Sequence, residues 1–172
     1  MTIPAEWTRA GLQDAGFEGF LPLAALPPAA VPKLPGIYVI LRESNAAPTF
    51  LGQSIAGRFK GVDSTVGVAV LEAAWVDGTP VVYIGKAGWG IKQDGIRRRL
   101  SQYRRHGAGK AVGHRGGEYI WQLADSAQLL ACWKTTSDDE VQPLETAMID
   151  AFESRFGRWP FANRKHERRT AL

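Results

Sequence analysis

The chain has 172 residues, of which 45% are hydrophobic, 10% aromatic and 22% charged, with a net charge of +4. This composition is typical of one folded domain and excludes a largely disordered chain, a collagen-like fibre and a coiled coil. The one cysteine, Cys132, excludes an internal disulfide and a thiolate metal cluster. We therefore expect a protein of a reducing compartment, the cytoplasm, with Cys132 as a buried filler of an apolar strand.

No part of the sequence predicts contact with a membrane. No stretch without a charged residue is longer than 14 residues, and the one over residues 19–32 contains four prolines. A membrane-spanning helix needs about 20 apolar residues. The first residues also lack the basic start and unbroken apolar run that are typical of a signal peptide. We expect neither a membrane span nor a secretory leader.

The first half of the chain predicts two clear strands with an irregular segment between them. A helix is predicted over residues 5–15, and an arm with several prolines follows. We expect residues 1–32 to pack on a domain that spans 33–164. β-Formers after a Pro-Gly turn predict a strand over 36–42. Residues 43–66 show little periodicity, and 68–76 are ambiguous between strand and helix. A turn signal at 77–80 precedes a second strand over 81–86.

The second half predicts two helices and a hairpin. After a glycine-rich loop, Ile96, Leu100 and Tyr103 recur at helical spacing behind Asp94, which can cap the helix. Strands are predicted over 118–123 and 128–135, joined by a turn at 124–127. A last helix is predicted over 138–156 and ends at Gly157. The resulting order predicts an α+β fold with a small central antiparallel β-sheet flanked by helices.

The charges are strongly segregated along the chain. Residues 81–117 carry nine basic side chains and one acidic one, whereas 118–154 carry one basic and eight acidic ones. The tail, 155–172, again is basic, with six against one. Two basic blocks on one surface would attract a polyanion, and neutralised phosphates dominate the affinity of proteins for nucleic acids. Solvated basic faces are the simpler alternative.

Several residues of the first basic block are candidates for substrate binding. An arginine cluster lies on the helix that is predicted to begin after Asp94, and aromatic side chains lie among the basic residues. Trp89 and Trp159 could stack on bases, although core positions are the commoner fate of tryptophan. The candidate substrate-binding residues are Trp89, Arg97, Arg98, Arg104, Arg105 and Lys110.

A second set of residues has the character of a reaction site. Tyr38 and Tyr83 each lie in a predicted strand beside a glycine. Arg99 and Tyr103 are four residues apart and share a helix face. Glu145 is followed by apolar residues at helical spacing, so its carboxylate would be partly desolvated, which is costly without a cation or hydrogen-bond donors. The alternatives are plain sheet tyrosines and, for Glu145, a salt-bridged boundary residue.

These residues resemble the GIY-YIG nuclease superfamily. The tripeptides GIY at 36–38 and YIG at 83–85 carry the resemblance, followed in order by the Arg99–Tyr103 helix, Glu145 and the segment Pro-Phe-Ala-Asn at 160–163. The resemblance covers residues 33–164. Here 44 residues separate Tyr38 from Tyr83, where the family has a short connection, which implies an insertion at about 43–80. The gap from Tyr83 to Arg99 is also long.

The resemblance implies a stand-alone endonuclease domain that hydrolyses DNA phosphodiester bonds with one Mg²⁺ or Mn²⁺ ion. Glu145 would be the metal ligand, Arg99 would meet phosphate oxygens, and either Tyr38 or Tyr83 would position or deprotonate water. Lys86 would supply positive charge to the tyrosine, Tyr103 would hydrogen-bond the phosphate or water, and Asn163 would hold the site together. The alternatives are a catalytically silent nucleic-acid-binding module of the same fold and an interaction domain whose basic blocks bind a protein or another polyanion. Specificity would come from the insertion, the arm, the basic tail at 165–172, a homodimer or a partner protein.

Overall fold

Four antiparallel strands in one sheet, with helices on both faces, build an α+β fold, as predicted. The computed structural model describes residues 2–113 and 116–164; the predicted basic tail, 165–172, lies outside the described residues. The elements are α1 (Arg9–Asp14), β1 (Glu18–Pro22), β2 (Gly36–Leu41), α2 (Val68–Ala74), β3 (Val81–Ala87), α3 (Gly95–Gly107), β4 (Leu130–Thr135) and α4 (Asp138–Phe156).

The sheet has the strand order β1-β4-β2-β3 and separates two apolar cores. Strand β2 is buried along its whole length because it supplies both cores in alternation. Tyr38 and Ile40 enter the core covered by α3, while Ile37, Val39 and Leu41 enter the core covered by α4. This arrangement places α3 and α4 on opposite faces of the edge strand β3.

The N-terminal arm contributes a strand that the sequence did not predict. Strand β1 pairs with β4, and its register shifts between Gly19 and Leu21. Phe20 has a φ of 53° and Gly19 a φ of 97°, so the regular alternation that marks a strand is broken. Residues 1–32 therefore do more than pack on the domain, because they supply an edge of its sheet. Helix α1 is shorter than predicted, since Thr8 caps it by accepting a hydrogen bond from Gly11 N.

The predicted strand over 118–123 is wrong. Residues Glu118–Gln122 form a 3₁₀ helix that follows Gly117, whose φ is 70°. Strand β4 pairs with β1 and β2 and forms no hairpin with this segment. Ile120 and Trp121 are buried in the α3 core, so their β-forming side chains serve packing rather than strand pairing.

Residues 42–80, between β2 and β3, do not simply loop away from the domain. The segment that was ambiguous is the helix α2, and Phe50 stacks on Phe161 with ring centroids 5.7 Å apart. The buried Gln122 ties two distant parts of this insertion together. Its amide accepts a hydrogen bond from Val66 N at 2.9 Å and donates to the carbonyls of Leu51 and Val66 at 3.0 and 2.9 Å. The insertion therefore returns to the body of the domain.

Candidate active site

A cleft of about 790 Å³ opens beside the edge strand β3. Strand β3 and helices α3 and α4 form its floor, and residues 62–66 of the insertion form a wall. The cleft collects five of the seven predicted catalytic residues, from four separate parts of the chain. These five are Tyr83, Lys86, Arg99, Glu145 and Asn163.

Glu145 and Lys86 form an ion pair within the cleft. Lys86 Nζ lies 3.1 Å from Glu145 Oε2, and the two side chains are 28% and 15% exposed. Lys86 Nζ also donates to Oε1 of Gln142. Because Gln142 precedes Glu145 by three residues, both side chains leave the same face of α4. That spacing could have identified Gln142 from the sequence, where it was missed. The carboxylate faces a cation, as its partial burial requires.

Three tyrosine rings pack together behind the cleft, but only one of them lines it. The ring centroids of Tyr38, Tyr83 and Tyr103 are 5.5–6.5 Å apart. Tyr83 lines the cleft, whereas Tyr38 and Tyr103 are fully buried and do not. The Tyr103 hydroxyl donates to Gly117 O at 2.6 Å. In this arrangement the predicted contact of Tyr103 with phosphate or water is replaced by a bond to the backbone.

Burial governs the acidity of these phenols. It raises the pKa of Tyr83 well above its ordinary value, with smaller contributions from Tyr38 and the Glu145 carboxylate, while Arg99 opposes them. Burial likewise raises the pKa of Tyr38, and Arg99 opposes that shift most strongly. The Tyr38 hydroxyl makes no hydrogen bond of normal geometry to the described residues. A phenolate would therefore form here only where positive charge near the cleft lowers the pKa of the tyrosine.

Gly85 allows the tyrosines to pack at this distance. It lies opposite Tyr38 in the register of β2 and β3. A Cβ atom at Gly85 would be 2.5 Å from Tyr38 Cζ and 2.7 Å from Tyr83 Cε1. These separations are far below van der Waals contact, so the ring of Tyr38 occupies the space that a side chain would take. Steric exclusion of a side chain by the Tyr38 ring thus explains the glycine of YIG.

Asn163 joins the C-terminal segment to the edge strand. Its Oδ1 accepts from Ile84 N at 3.0 Å, and its Nδ2 donates to Ile84 O at 2.8 Å. The preceding residue, Ala162, donates its backbone N–H to the carbonyl of Val82 at 2.9 Å. Val82 is the bulged residue at which the register of β2 and β3 shifts. These bonds cover the edge of β3 and tie the C-terminal segment to the strand that carries Tyr83 and Lys86.

The predicted substrate-binding residues separate into different environments. Arg98 lines the cleft together with Arg99. Arg97 is used elsewhere, because its Nε donates to Val31 O at 2.7 Å and anchors the N-terminal arm. Arg104 is half-buried and does not line the cleft. Arg105 in the last turn of α3 and Lys110 beyond its end are exposed, and Lys110 N donates to Arg105 O.

The tryptophans also differ from one another. Trp159 is partly buried against the α4 core, as the commoner fate of tryptophan predicted. Trp89 is 38% exposed, so the core interpretation is wrong for it. Its backbone N donates to Asp138 Oδ1 at 2.9 Å. Cys132 is fully buried in β4, and burial raises the pKa of its thiol, which confirms its prediction as a filler.

The sequence did not identify the wall opposite the catalytic residues. Asp63 and Thr65 line it, and Asp63 forms an ion pair of 2.7 Å with Arg58. Glu118 also lines the cleft and pairs with Arg164 at 2.9 Å. Both of these carboxylates have arginine partners. Within residues 2–113 and 116–164, no group of three or more His, Cys, Asp or Glu side chains could hold a metal ion.

Comparisons of the chain with protein-family models, with curated proteins and with solved structures find no match. None of the helices in the described part of the chain has the length and apolar character needed to cross a membrane.

Proposed function

We propose that this chain is a metal-dependent endonuclease of the GIY-YIG type that hydrolyses phosphodiester bonds of DNA. The observation that carries the proposal is the convergence of Tyr83, Lys86, Arg99 and Glu145 on one cleft. These residues come from β3, α3 and α4, and 61 residues separate the first from the last in the sequence. Convergence of a phenol, two cations and a single carboxylate suits the hydrolysis of an anionic ester.

The donors in the cleft are compatible with a hard divalent cation. The Glu145 carboxylate and the Gln142 side-chain oxygen both face the Lys86 ammonium. That ammonium marks a position where positive charge is stabilised, and oxygen ligands are the ones that Mg²⁺ and Mn²⁺ prefer. Glu145 would hold the ion, with water and phosphate as its other ligands. Such an ion would supply Lewis-acid stabilisation of the scissile phosphate.

Arg99 and Tyr83 would carry the remaining steps. The guanidinium of Arg99 offers a planar set of donors to phosphate oxygens and balances the charge that develops in the transition state. Tyr83 lines the cleft, so its hydroxyl would orient the attacking water. The new P–O bond forms as the bond to the leaving oxygen breaks. The proton of the attacking water passes to the phenolate of Tyr83, and the leaving oxygen takes a proton from solvent. Arg99 favours that phenolate by its charge, against the burial and the Glu145 carboxylate that raise the pKa of Tyr83. Lys86 is paired with Glu145 and would act on the carboxylate that holds the ion.

DNA is the proposed substrate because basic side chains dominate the α3 side of the cleft. Arg98 and Arg99 line it, and two acidic residues that also line the cleft, Asp63 and Glu118, have arginine partners. Because one cleft cuts one strand, a homodimer or a partner protein would be needed to cleave both strands in a single binding event.

The decisive experiment is a nicking assay on supercoiled plasmid with Mg²⁺ or Mn²⁺, alongside a reaction containing excess EDTA. We expect conversion to open circles with the metal and none with the chelator. A parallel set of flapped, branched and single-stranded oligonucleotides extends the assay to structures that a plasmid does not present. A salt-sensitive gel shift without cleavage of any substrate would reject the enzyme and favour the silent binding module.

The exposure of Tyr83 to the cleft leads to a prediction that separates the two tyrosines. Tyr83→Phe keeps the packed ring and removes the hydroxyl, so we expect the cleavage rate to fall about 10²- to 10⁴-fold, the range for a lost general base. Tyr38→Phe removes a buried hydroxyl that lies behind the cleft, and we expect its rate to stay within about threefold of wild type. Single-turnover cleavage measures both. The reverse order of the two losses would assign the water to Tyr38.

A further inference from the structure

The loop between β3 and α3 carries the most exposed large apolar side chain of the described residues. Ile91 has a relative exposure of 102%, whereas the other exposed large apolar residues range from 38% to 51%. A fully hydrated isoleucine contributes nothing to folding, since its apolar surface is not removed from water. Burial against a binding partner would recover that contribution.

The backbone of this loop is held so that Ile91 projects from it. Gln93 N donates to Gly90 O at 3.2 Å and closes a turn around Ile91. Gly90 and Gln93 have φ values of 62° and 49°, and a left-handed backbone is costly for glutamine. At one end the loop is tied to α4 through Trp89 N and Asp138. A strained turn that exposes an apolar tip points to a function outside the fold.

The loop also begins at the cleft. Gly88, just before Trp89, lines the cleft, and so does Arg98, whose Nη2 would lie 2.5 Å from a Cβ at Gly90. Lys92 follows Ile91 and is exposed. The apolar tip is therefore flanked in the chain by Lys92 and by Trp89, which is 38% exposed, and Arg98 lies close to Gly90. This combination fits a polyanion with an apolar interior better than it fits the extended apolar surface of a protein partner.

We infer that Ile91 is a wedge that enters a base step of duplex DNA beside the cleft and unstacks the bases there. Basic side chains at the loop would hold the flanking phosphates, while an apolar side chain inserted between bases kinks the duplex. This inference rests on the proposed function, because the cleft must take DNA. It adds a preference for duplexes with steps that open easily, such as mismatches and pyrimidine–purine steps.

The test uses duplex oligonucleotides that carry 2-aminopurine at successive positions, because the fluorescence of this base rises when it is unstacked. The full chain is used with Glu145→Gln, which prevents cleavage during the measurement. At saturating protein we expect a several-fold rise at one or two adjacent positions. Adding Ile91→Ala should abolish the rise. Val70→Ala, which shortens an apolar side chain 47% exposed on α2, is the matched control and should leave it unchanged.

A second readout keeps the two proposals distinguishable. With an intact Glu145, the ratio of cleavage rates on mismatched and matched duplexes should rise at least threefold in Ile91→Ala, since a mismatch supplies the opening that the wedge no longer provides. The wedge would be overturned if the fluorescence rises equally with and without Ile91→Ala, or if it rises in neither protein at saturation. Metal-dependent cleavage would still uphold the nuclease in that case. If no substrate is cleaved but the fluorescence rise still depends on Ile91, the nuclease is rejected and the wedge is retained. Equal melting temperatures of the variants would show that folding is not the cause.

Discussion

Glu145→Gln is expected to reduce metal-dependent cleavage by about 10³-fold or more, because it removes the charge of the carboxylate that would hold the ion. Metal stabilisation of a transition state is worth several kcal/mol, and each 1.36 kcal/mol corresponds to about a factor of ten in rate. The substitution keeps the shape of the side chain. The side chains of Lys86 and Glu145 are only 28% and 15% exposed, so losing their attraction should lower the free energy of unfolding by about 1–3 kcal/mol.

Single-turnover cleavage over a range of Mg²⁺ concentrations measures the effect, and urea unfolding measures the stability of each variant. The matched control is Glu153→Gln, the same change of charge at an exposed position of the same helix that does not line the cleft. Its cleavage rate should stay within about twofold of wild type. A Glu145→Gln variant that cuts within tenfold of wild type would contradict the assignment and direct attention to Asp63 or Glu118.

Gly85→Ala is expected to destabilise the fold by about 3 kcal/mol, at the upper end of the cost of overpacking a core. The new methyl group would lie 2.5 Å from Tyr38 Cζ and 2.7 Å from the Tyr38 hydroxyl oxygen. The ring of Tyr38 is fully buried and contacts the rings of Tyr83 and Tyr103, so it has no free volume to move into. In a domain of this size the midpoint of thermal unfolding should fall by about 10 °C.

Thermal and urea unfolding followed by circular dichroism test this prediction. Gly52→Ala is the matched control, because no atom lies within 4 Å of a Cβ at Gly52, and we expect its midpoint to move by less than about 2 °C. An equally small shift for Gly85→Ala would mean that the Tyr38 ring does not lie over Gly85. Residual cleavage in Gly85→Ala, measured well below its melting point, would report how far displacement of Tyr83 disturbs the site.

The elements that could be predicted from the sequence are those with a local signal. Strand β3 follows a turn and is rich in β-formers, and α3 and α4 have apolar side chains at helical spacing, which is why these elements agree closely with the predicted ranges. Strand β1 lacked such a signal, because its partner β4 lies more than a hundred residues away and its backbone is irregular at Gly19 and Phe20. In the 118–122 segment, burial of Ile120 and Trp121 overrode the β-propensity of the side chains.

The chemistry of the cleft could likewise be anticipated only in part. Residue type and spacing were enough to single out the tyrosines, Arg99 and Glu145 as candidates, and the resemblance to the GIY-YIG superfamily added Asn163. Which tyrosine faces the cleft depends on how α3 and the insertion cover the sheet, and this is a property of packing between distant segments. The partner of Glu145 is another case, since Lys86 reaches α4 from an edge strand 59 residues earlier in the chain.

Composition, charge segregation and hydrophobic periodicity were thus sufficient for the α+β class, the two main helices, the central strands and a set of candidate residues. These properties are local, and each is carried by a few neighbouring side chains. Tertiary structure alone decided that the N-terminal arm completes the sheet, that the insertion returns as a wall of the cleft, and that Tyr38 lies behind Tyr83. Each of those outcomes depends on buried contacts and hydrogen bonds between segments far apart in the chain, as at Gln122 and Gly85. Such contacts are selected by the packing of the whole core, which no local pattern records.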